Sequence, residues 1–205
     1  MTISHDVSRC HRYDRRMTRW GPDARGRLQQ AAMELYAVRG FEETTVAQIA
    51  RRAGLTERTF FRYFADKREV LFAGSDQLQQ AVVNAVAGAP ASASPIEAIG
   101  KGLGAAGAFF KAERREYSRR RHAIIAANAE LQERELIKLA SLTSAIAETL
   151  RRRGIPDPAA SLTAEAGMGV FRVAFACWVD KSNEQDWPDL VHESLAHLKE
   201  LISAR

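Results

Sequence analysis

The 205-residue chain has little cysteine: Cys10 and Cys177 stand far apart and show no paired spacing. That pattern excludes a disulfide framework and a closed zinc site, and both residues read as free thiols in a reducing compartment. Long apolar runs are missing too. No stretch approaches the roughly 20 uninterrupted apolar residues of a membrane span, and the first residues lack the apolar core of a secretory signal, so the expected location is cytoplasmic, with no membrane partner. No run of alternating apolar and polar residues is bounded by turn signals, which argues against a sheet, and no fixed-period repeat is visible. Signals for catalysis are equally scarce: there is no nucleophile motif, no phosphate-cradling glycine loop and no carboxylate pair at diagnostic spacing. Gly100-Lys-Gly-Leu-Gly104 falls on an expected helix and reads as helix-packing glycine. No catalytic residue, metal or cofactor is expected.

What is present is a chain 46% hydrophobic and 27% charged, enough for one or two domains with a sizeable core. Its net charge of +5 is unevenly spread. Residues 1–72 hold 14 basic against 9 acidic side chains, and residues 73–205 hold 16 of each. A basic first third joined to a neutral remainder reads either as a part that meets a polyanion or as a solubility tail.

Three parts are expected: a disordered basic arm over 1–20, a small helical domain over 21–70 and a larger, electrically neutral helical domain over 71–205. The arm carries Arg9, Arg12, Arg15, Arg16 and Arg19 without helical period, and either enters a minor groove or stays free. Its His5, Cys10 and His11 match no closed zinc site. Leu28, Ala31, Ala32 and Leu35 make one helical stripe that predicts a first helix over about 23–39, stopped by Gly40. Thr45-Val-Ala-Gln48 is a capping box for a short helix to about Ala53, and Gly54 ends it. Thr56 caps a third helix to about Phe64, and Asp66-Lys-Arg-Glu69 is expected to cap a fourth running on through Val86. Further helices are expected near 95–111, 114–127, 130–153, 157–182 and 187–203. The fold class is therefore all-α.

Phe41 to Phe64 is the informative stretch. Two short helices about a turn at Gly54, with Val46, Ile49 and Ala50 packing on Leu55, Phe60 and Phe64, make a helix-turn-helix that leaves the polar residues Thr56, Glu57, Arg58 and Thr59 to face a major groove. Gly40-Phe41, Thr44-Thr45, Ile49-Ala50, Ala53-Gly54-Leu55-Thr56, Phe60 to Phe64 and Asp66-Lys67-Arg68-Glu69-Val70-Leu71 closely resemble the DNA-binding domain of the tetracycline-repressor (TetR) family, over about residues 22–72. The resemblance implies that Arg58 and Thr59 face base edges. Arg58 would grip a guanine, and Glu57 would accept from cytosine or favour the helix N-terminus. Thr45, Tyr63 and Lys67 would hold phosphates. Phe61 stands where the family usually has tyrosine, so it cannot donate to phosphate and is expected to pack.

The resemblance further implies a homodimer on a palindromic double-stranded operator, acting as a repressor released by a small effector. Aromatic and cationic residues point to a largely apolar or acyl-CoA-like ligand, with Phe109, Phe110, Ile125 and Met168 around its body and Arg121, His122 or Arg172 at its head. The run from Arg120 to Arg134 is similar to some actinobacterial members, including mycofactocin-associated ones that respond to acyl-CoA. The eighth helix is apolar on two sides, so Phe171, Phe175 and Trp178, with Val191, Leu195 and Leu198 of the ninth, are expected to form the dimer interface. Two rivals stay open: a helical enzyme with an incidental helix-turn-helix, and a sequence-tolerant DNA-coating protein that would show little preference among duplexes.

Overall fold

The computed structural model describes residues 23–203, and the expected basic arm lies outside them. The described residues form α1 (Ala24–Arg39), α2 (Val46–Arg52), α3 (Glu57–Tyr63), α4 (Ser75–Ala87), α5 (Pro95–Ala105), α6 (Arg115–Ala126), α7 (Ala129–Arg152), α8 (Ala159–Val179) and α9 (Trp187–Ser203), with no strand among them.

Local chemistry sets the first three helices. Asp23 accepts from the Gly26 amide to start α1, and the Gly40 amide donates to Tyr36 O to end it. In α2 the capping box is complete: Thr45 Oγ1 accepts from Gln48 N at 3.2 Å, and Gln48 Oε1 accepts from Thr45 N at 3.0 Å. Gly54, at φ +65°, takes the left-handed turn between α2 and α3 that a residue with a Cβ adopts only with strain. Thr56 then caps α3 by accepting from Thr59 N at 3.1 Å.

The expected fourth helix begins later than its apparent cap. Asp66 does accept from the Arg68 and Glu69 amides, but the chain then runs through i→i+3 turns, with Leu71 N donating to Arg68 O and Phe72 N to Glu69 O. Gly74, at φ +100°, breaks the path before α4 starts at Ser75. Residues 66–74 thus form a connector. The expected helix over 95–111 is also interrupted, ending at Ala105 in a 3₁₀ turn, Ala106–Ala108, that delivers Phe109 and Phe110 inward.

Two apolar cores result. One gathers Leu28, Ala32, Tyr36, Phe41, Ile49, Phe60 and Phe64 with Val70, Leu71 and Phe72 of the connector, and it includes Ile125 from the end of α6 and Leu131 from the start of α7. The other lies among α4, α5, α7, α8 and α9. Helix α8 is long and apolar enough by composition to cross a membrane, yet Ala160, Ala164, Gly167, Met168, Phe171, Ala174 and Trp178 are buried in this second core. Gly167 shows how closely it packs: a Cβ there would lie 2.5 Å from Ile99 Cγ2 of α5.

Candidate nucleic-acid interface and effector cavity

Helix α3 turns Phe60 into the core and leaves Glu57 and Arg58 exposed on its outer side. Arg58 makes no hydrogen bond or ion pair among the described residues, so its guanidinium keeps all its donors for a base edge. Thr56 and Thr59 are joined through their hydroxyls at 3.0 Å, which ties both to capping and leaves less of either for DNA. The Thr45 oxygen accepts within its capping box, while its hydroxyl hydrogen stays available to a phosphate. Tyr63 is half-buried, and its hydroxyl accepts from Arg62 Nη2 at 3.2 Å beneath a guanidinium stacked 4.9 Å from the ring.

Lys67 is partly engaged within the chain. Its ammonium donates to Phe41 O at 2.9 Å and Glu42 O at 3.0 Å, and it sits 4.4 Å from the Phe41 ring centroid. Two of its three donors therefore brace the loop between α1 and α2, leaving one for a phosphate. Tyr36 completes the brace by donating to Lys67 O at 2.6 Å, and burial pushes its phenol well above the ordinary value. Phe61 differs from the expectation that it packs: it is 56% exposed, and its ring meets that of Phe60 at a T-shaped angle, with centroids 5.5 Å apart.

Behind this face, α6 and α7 hold the connector. Arg121 Nε donates to Leu71 O at 2.6 Å, its Nη1 to Glu135 at 3.3 Å, and the guanidinium lies 5.2 Å from the Phe72 ring centroid. Burial lowers its pKa, and Glu135 opposes that shift. Arg68 reaches Glu130 at 2.8 Å, and Arg134 reaches Glu69 at 2.6 Å.

A cavity of about 640 Å³ lies between the connector and α4, α6, α7 and α8, with Arg25 and Gln29 of α1 on its wall. Of the residues expected around a ligand, Phe109, Phe110, Arg121, His122 and Arg172 line it. Ile125 and Met168 do not: Ile125 is 1% exposed in the N-terminal core, and Met168 is fully buried in the core of the bundle. Arg121 is committed to the connector rather than free for a ligand. His122 lies edge-on to Phe175, and its Nδ1 is buried without a partner.

The expected dimer residues need the largest correction. Phe171 and Phe175 stack with Phe110, Trp178 and Trp187 into one aromatic cluster inside the chain, and both also line the cavity. Phe110 stacks on Trp187 at 4.1 Å, and Trp187 Nε1 donates to Leu103 O at 2.8 Å. Trp178 is fully buried and Val191 nearly so, while Leu195 and Leu198 pack partly buried against the same core. Sequence reading missed what the chain supplies to close its own bundle: the 3₁₀ turn brings Phe110 onto Phe171 and Trp178 of α8, and Trp187 covers the same two residues. The apolar residues left outside on these two helices are Leu162, Val173, Leu201 and Ile202, with Cys177 also exposed. The cavity-lining role of Leu71, Phe72 and Tyr117 was also missed; the spacing of Tyr117 and Arg121, one turn apart, was the available signal.

A capped three-helix unit with a free arginine on its outer helix is a helix-turn-helix DNA-binding module. Residues 28–73 match the family described as bacterial regulatory proteins, tetR family, and residues 93–203 match the MftR C-terminal domain. The chain belongs to the TetR family of DNA-binding transcriptional regulators. It is 39% identical over 75 residues to the HTH-type transcriptional regulator TcmR of Streptomyces glaucescens, a match that covers 37% of this chain and 33% of that one. It thus spans about a third of that relative's length. Among solved structures it is similar to the Thermus thermophilus repressor FadR in complex with lauroyl-CoA, at 24% identity and a TM-score of 0.50 over 88% of this chain and 96% of that one. It is also similar to the fatty acid degradation regulator FadR of Bacillus halodurans, at 17% identity and 0.55 over 90% and 99%. At these identities the structures share the fold.

Proposed function

We propose that the protein is a cytoplasmic, homodimeric repressor that binds a palindromic operator and leaves it when a largely apolar effector fills the 640 Å³ cavity. The observation that carries this reading is the composition of the cavity wall. Arg25 and Gln29 belong to the DNA-binding unit, Leu71 to Gly74 to the connector, and Phe110, Phe171 and Phe175 to the bundle, so one occupant touches all three. The volume lies within the roughly 300–1,000 Å³ of small-molecule sites, and the aromatic wall with a few polar groups suits an apolar body. Arg172 and Lys138 at the cavity, with the unpaired His122 Nδ1, would meet a polar or anionic head.

Arg121 is the link by which an occupant acts. It lines the cavity and holds the carbonyl of Leu71, so a ligand that draws the guanidinium away releases the connector and with it the spacing of the two α3 helices, which must match major grooves about 34–36 Å apart. Dimerisation would use the outer faces of α8 and α9, around Val173, Cys177, Leu201 and Ile202. The test is a thermal-shift screen of fatty acids, acyl-CoA thioesters and hydrophobic drugs, with and without the preferred duplex. The lauroyl-CoA bound to the Thermus protein makes that thioester a first probe. A 100-fold preference for the DNA-free state is about 2.7 kcal/mol of coupling, and operator must weaken ligand binding by the same factor. A binder whose affinity is unchanged by operator is not the effector, and a purely hydrophilic inducer overturns the cavity assignment.

A further inference from the structure

We infer that Phe61 is a specificity residue that reads the 5-methyl group of a thymine in the major groove. The inference rests on the operator reading above and deepens it. Phe61 is a large apolar ring held 56% exposed on α3, with the edge of Phe60 as its aromatic contact. Its place on the helix gives that exposure meaning. Residues three and four apart share a helix face, so Phe61 stands over Arg58 and Glu57, both exposed, while Phe60 and Phe64 point into the core. Whatever Arg58 faces, Phe61 faces one turn further on.

The chemistry of the groove selects the partner. Base-pair edges there present donors and acceptors, and the one apolar group among them is the thymine methyl. A phenyl ring over any other edge strips water from a polar atom and offers nothing in return, which is unfavourable. Over a thymine it removes apolar surface on both sides from water. Lacking a hydroxyl, the ring has no hydrogen bond to give a phosphate instead. The two side chains are separated by about 4.5 Å along the helix axis, three residues at 1.5 Å each. Base pairs rise about 3.4 Å, so the thymine falls within one or two base pairs of the base that Arg58 contacts.

The experiment selects a preferred duplex from a random library with the full-length protein, then replaces each thymine in turn by deoxyuridine, which removes the methyl alone. One position per half-site is expected to lose about fourfold in affinity, the effect of one buried methyl-sized group. It should lie within two base pairs of the position whose base preference vanishes in Arg58→Ala. In Phe61→Ala the same replacement should change nothing, whereas Phe61→Leu should keep part of the effect. Because the side chain is exposed, both variants should unfold at the temperature of the parent. Enrichment of a sequence with no methyl-dependent position, or a methyl effect that persists in Phe61→Ala, overturns the inference while leaving the operator reading intact. Failure to enrich any sequence overturns both.

Discussion

Between Ala24 and Phe64 the turns are fixed by hydrogen bonds between residues three or four apart: Asp23 with Gly26, Gly40 with Thr44, Thr45 with Gln48, Thr56 with Thr59. From Pro95 to Ser203 the decisive contacts join residues far apart in the chain, such as Trp187 to Leu103, Arg119 to Val179 and Arg115 to Asn183. The first region carries the instructions for its turns and helix ends locally, while its core and the Lys67 brace hold the helices together. The second relies on apolar faces that find each other only once the bundle closes. A local device stays recognisable wherever it stands; an apolar face says that something covers it and not what.

The strongest test of that contrast concerns what covers α8. Trp178 is buried in the chain's own core, so Trp178→Ala should destabilise the fold by about 3–5 kcal/mol, as large-to-small aromatic changes do, at every protein concentration. Val173→Asp, on the exposed side of the same helix, should leave unfolding little changed and split the proposed dimer. Denaturant unfolding and sedimentation separate the two. If Trp178→Ala weakened assembly while sparing the fold, the core assignment would be wrong.

Arg121 comes next. Arg121→Met keeps much of the side-chain bulk against Phe72 but leaves Leu71 O and the Glu135 carboxylate without their donor. Hydrogen bonds to charged groups are worth about 1.5–3 kcal/mol, and a loss of that order is expected. Hydrogen exchange should quicken in the connector, from Leu71 to Gly74, ahead of α5 and α8. Uniform quickening across the chain would mean that Arg121 serves general packing and is no link to the DNA-binding unit.

Within the DNA-binding unit, Arg58 and Lys67 divide differently from a simple base-and-phosphate pair. Arg58→Ala should lower affinity for the preferred duplex by about 1–3 kcal/mol and hardly change binding to random DNA. Lys67→Ala should weaken both alike, lower the salt slope by about one unit, and also reduce stability, because Phe41 O and Glu42 O lose their donor. Unchanged stability in Lys67→Ala would show that the brace is dispensable.

The helix-turn-helix, its caps and the boundaries of most helices were legible because each depends on residues a few positions apart. The start of α4 was not, since Asp66 performs a true local cap while Gly74, eight residues on, decides where the helix begins. Of the expected ligand residues, the ones that line the cavity stand on α6, on α8 or just after the 3₁₀ turn. Ile125, in the last turn of α6, was misplaced because that end joins the N-terminal core instead. Phe171 and Trp178 were expected at an interface for a related reason: they mark an apolar side of α8, but Phe110 and Trp187 come from elsewhere to cover it.

The smallest effect tests the connector itself. Burial tends to raise the Asp66 carboxyl, but the Arg68 guanidinium and the amides of Glu69 and Arg68 outweigh it and hold the group below the ordinary carboxylate value. A carboxylate whose folded pKa is depressed adds stability that is present above its unfolded value, near 4, and lost as pH falls through the folded one. Asp66→Asn keeps an oxygen to accept from the two amides and removes the charge that pairs with Arg68 at 2.7 Å. Since that pair is more than a third exposed, screening limits the difference to under about 1 kcal/mol. Urea unfolding of both proteins should show the parent slightly more stable at pH 7, with the gap narrowing as pH falls below about 4. A gap that stays constant across this range would mean that the carboxylate acts at the connector only as a neutral cap, and that its pairing with Arg68 adds nothing to holding the chain between the DNA-binding unit and α4.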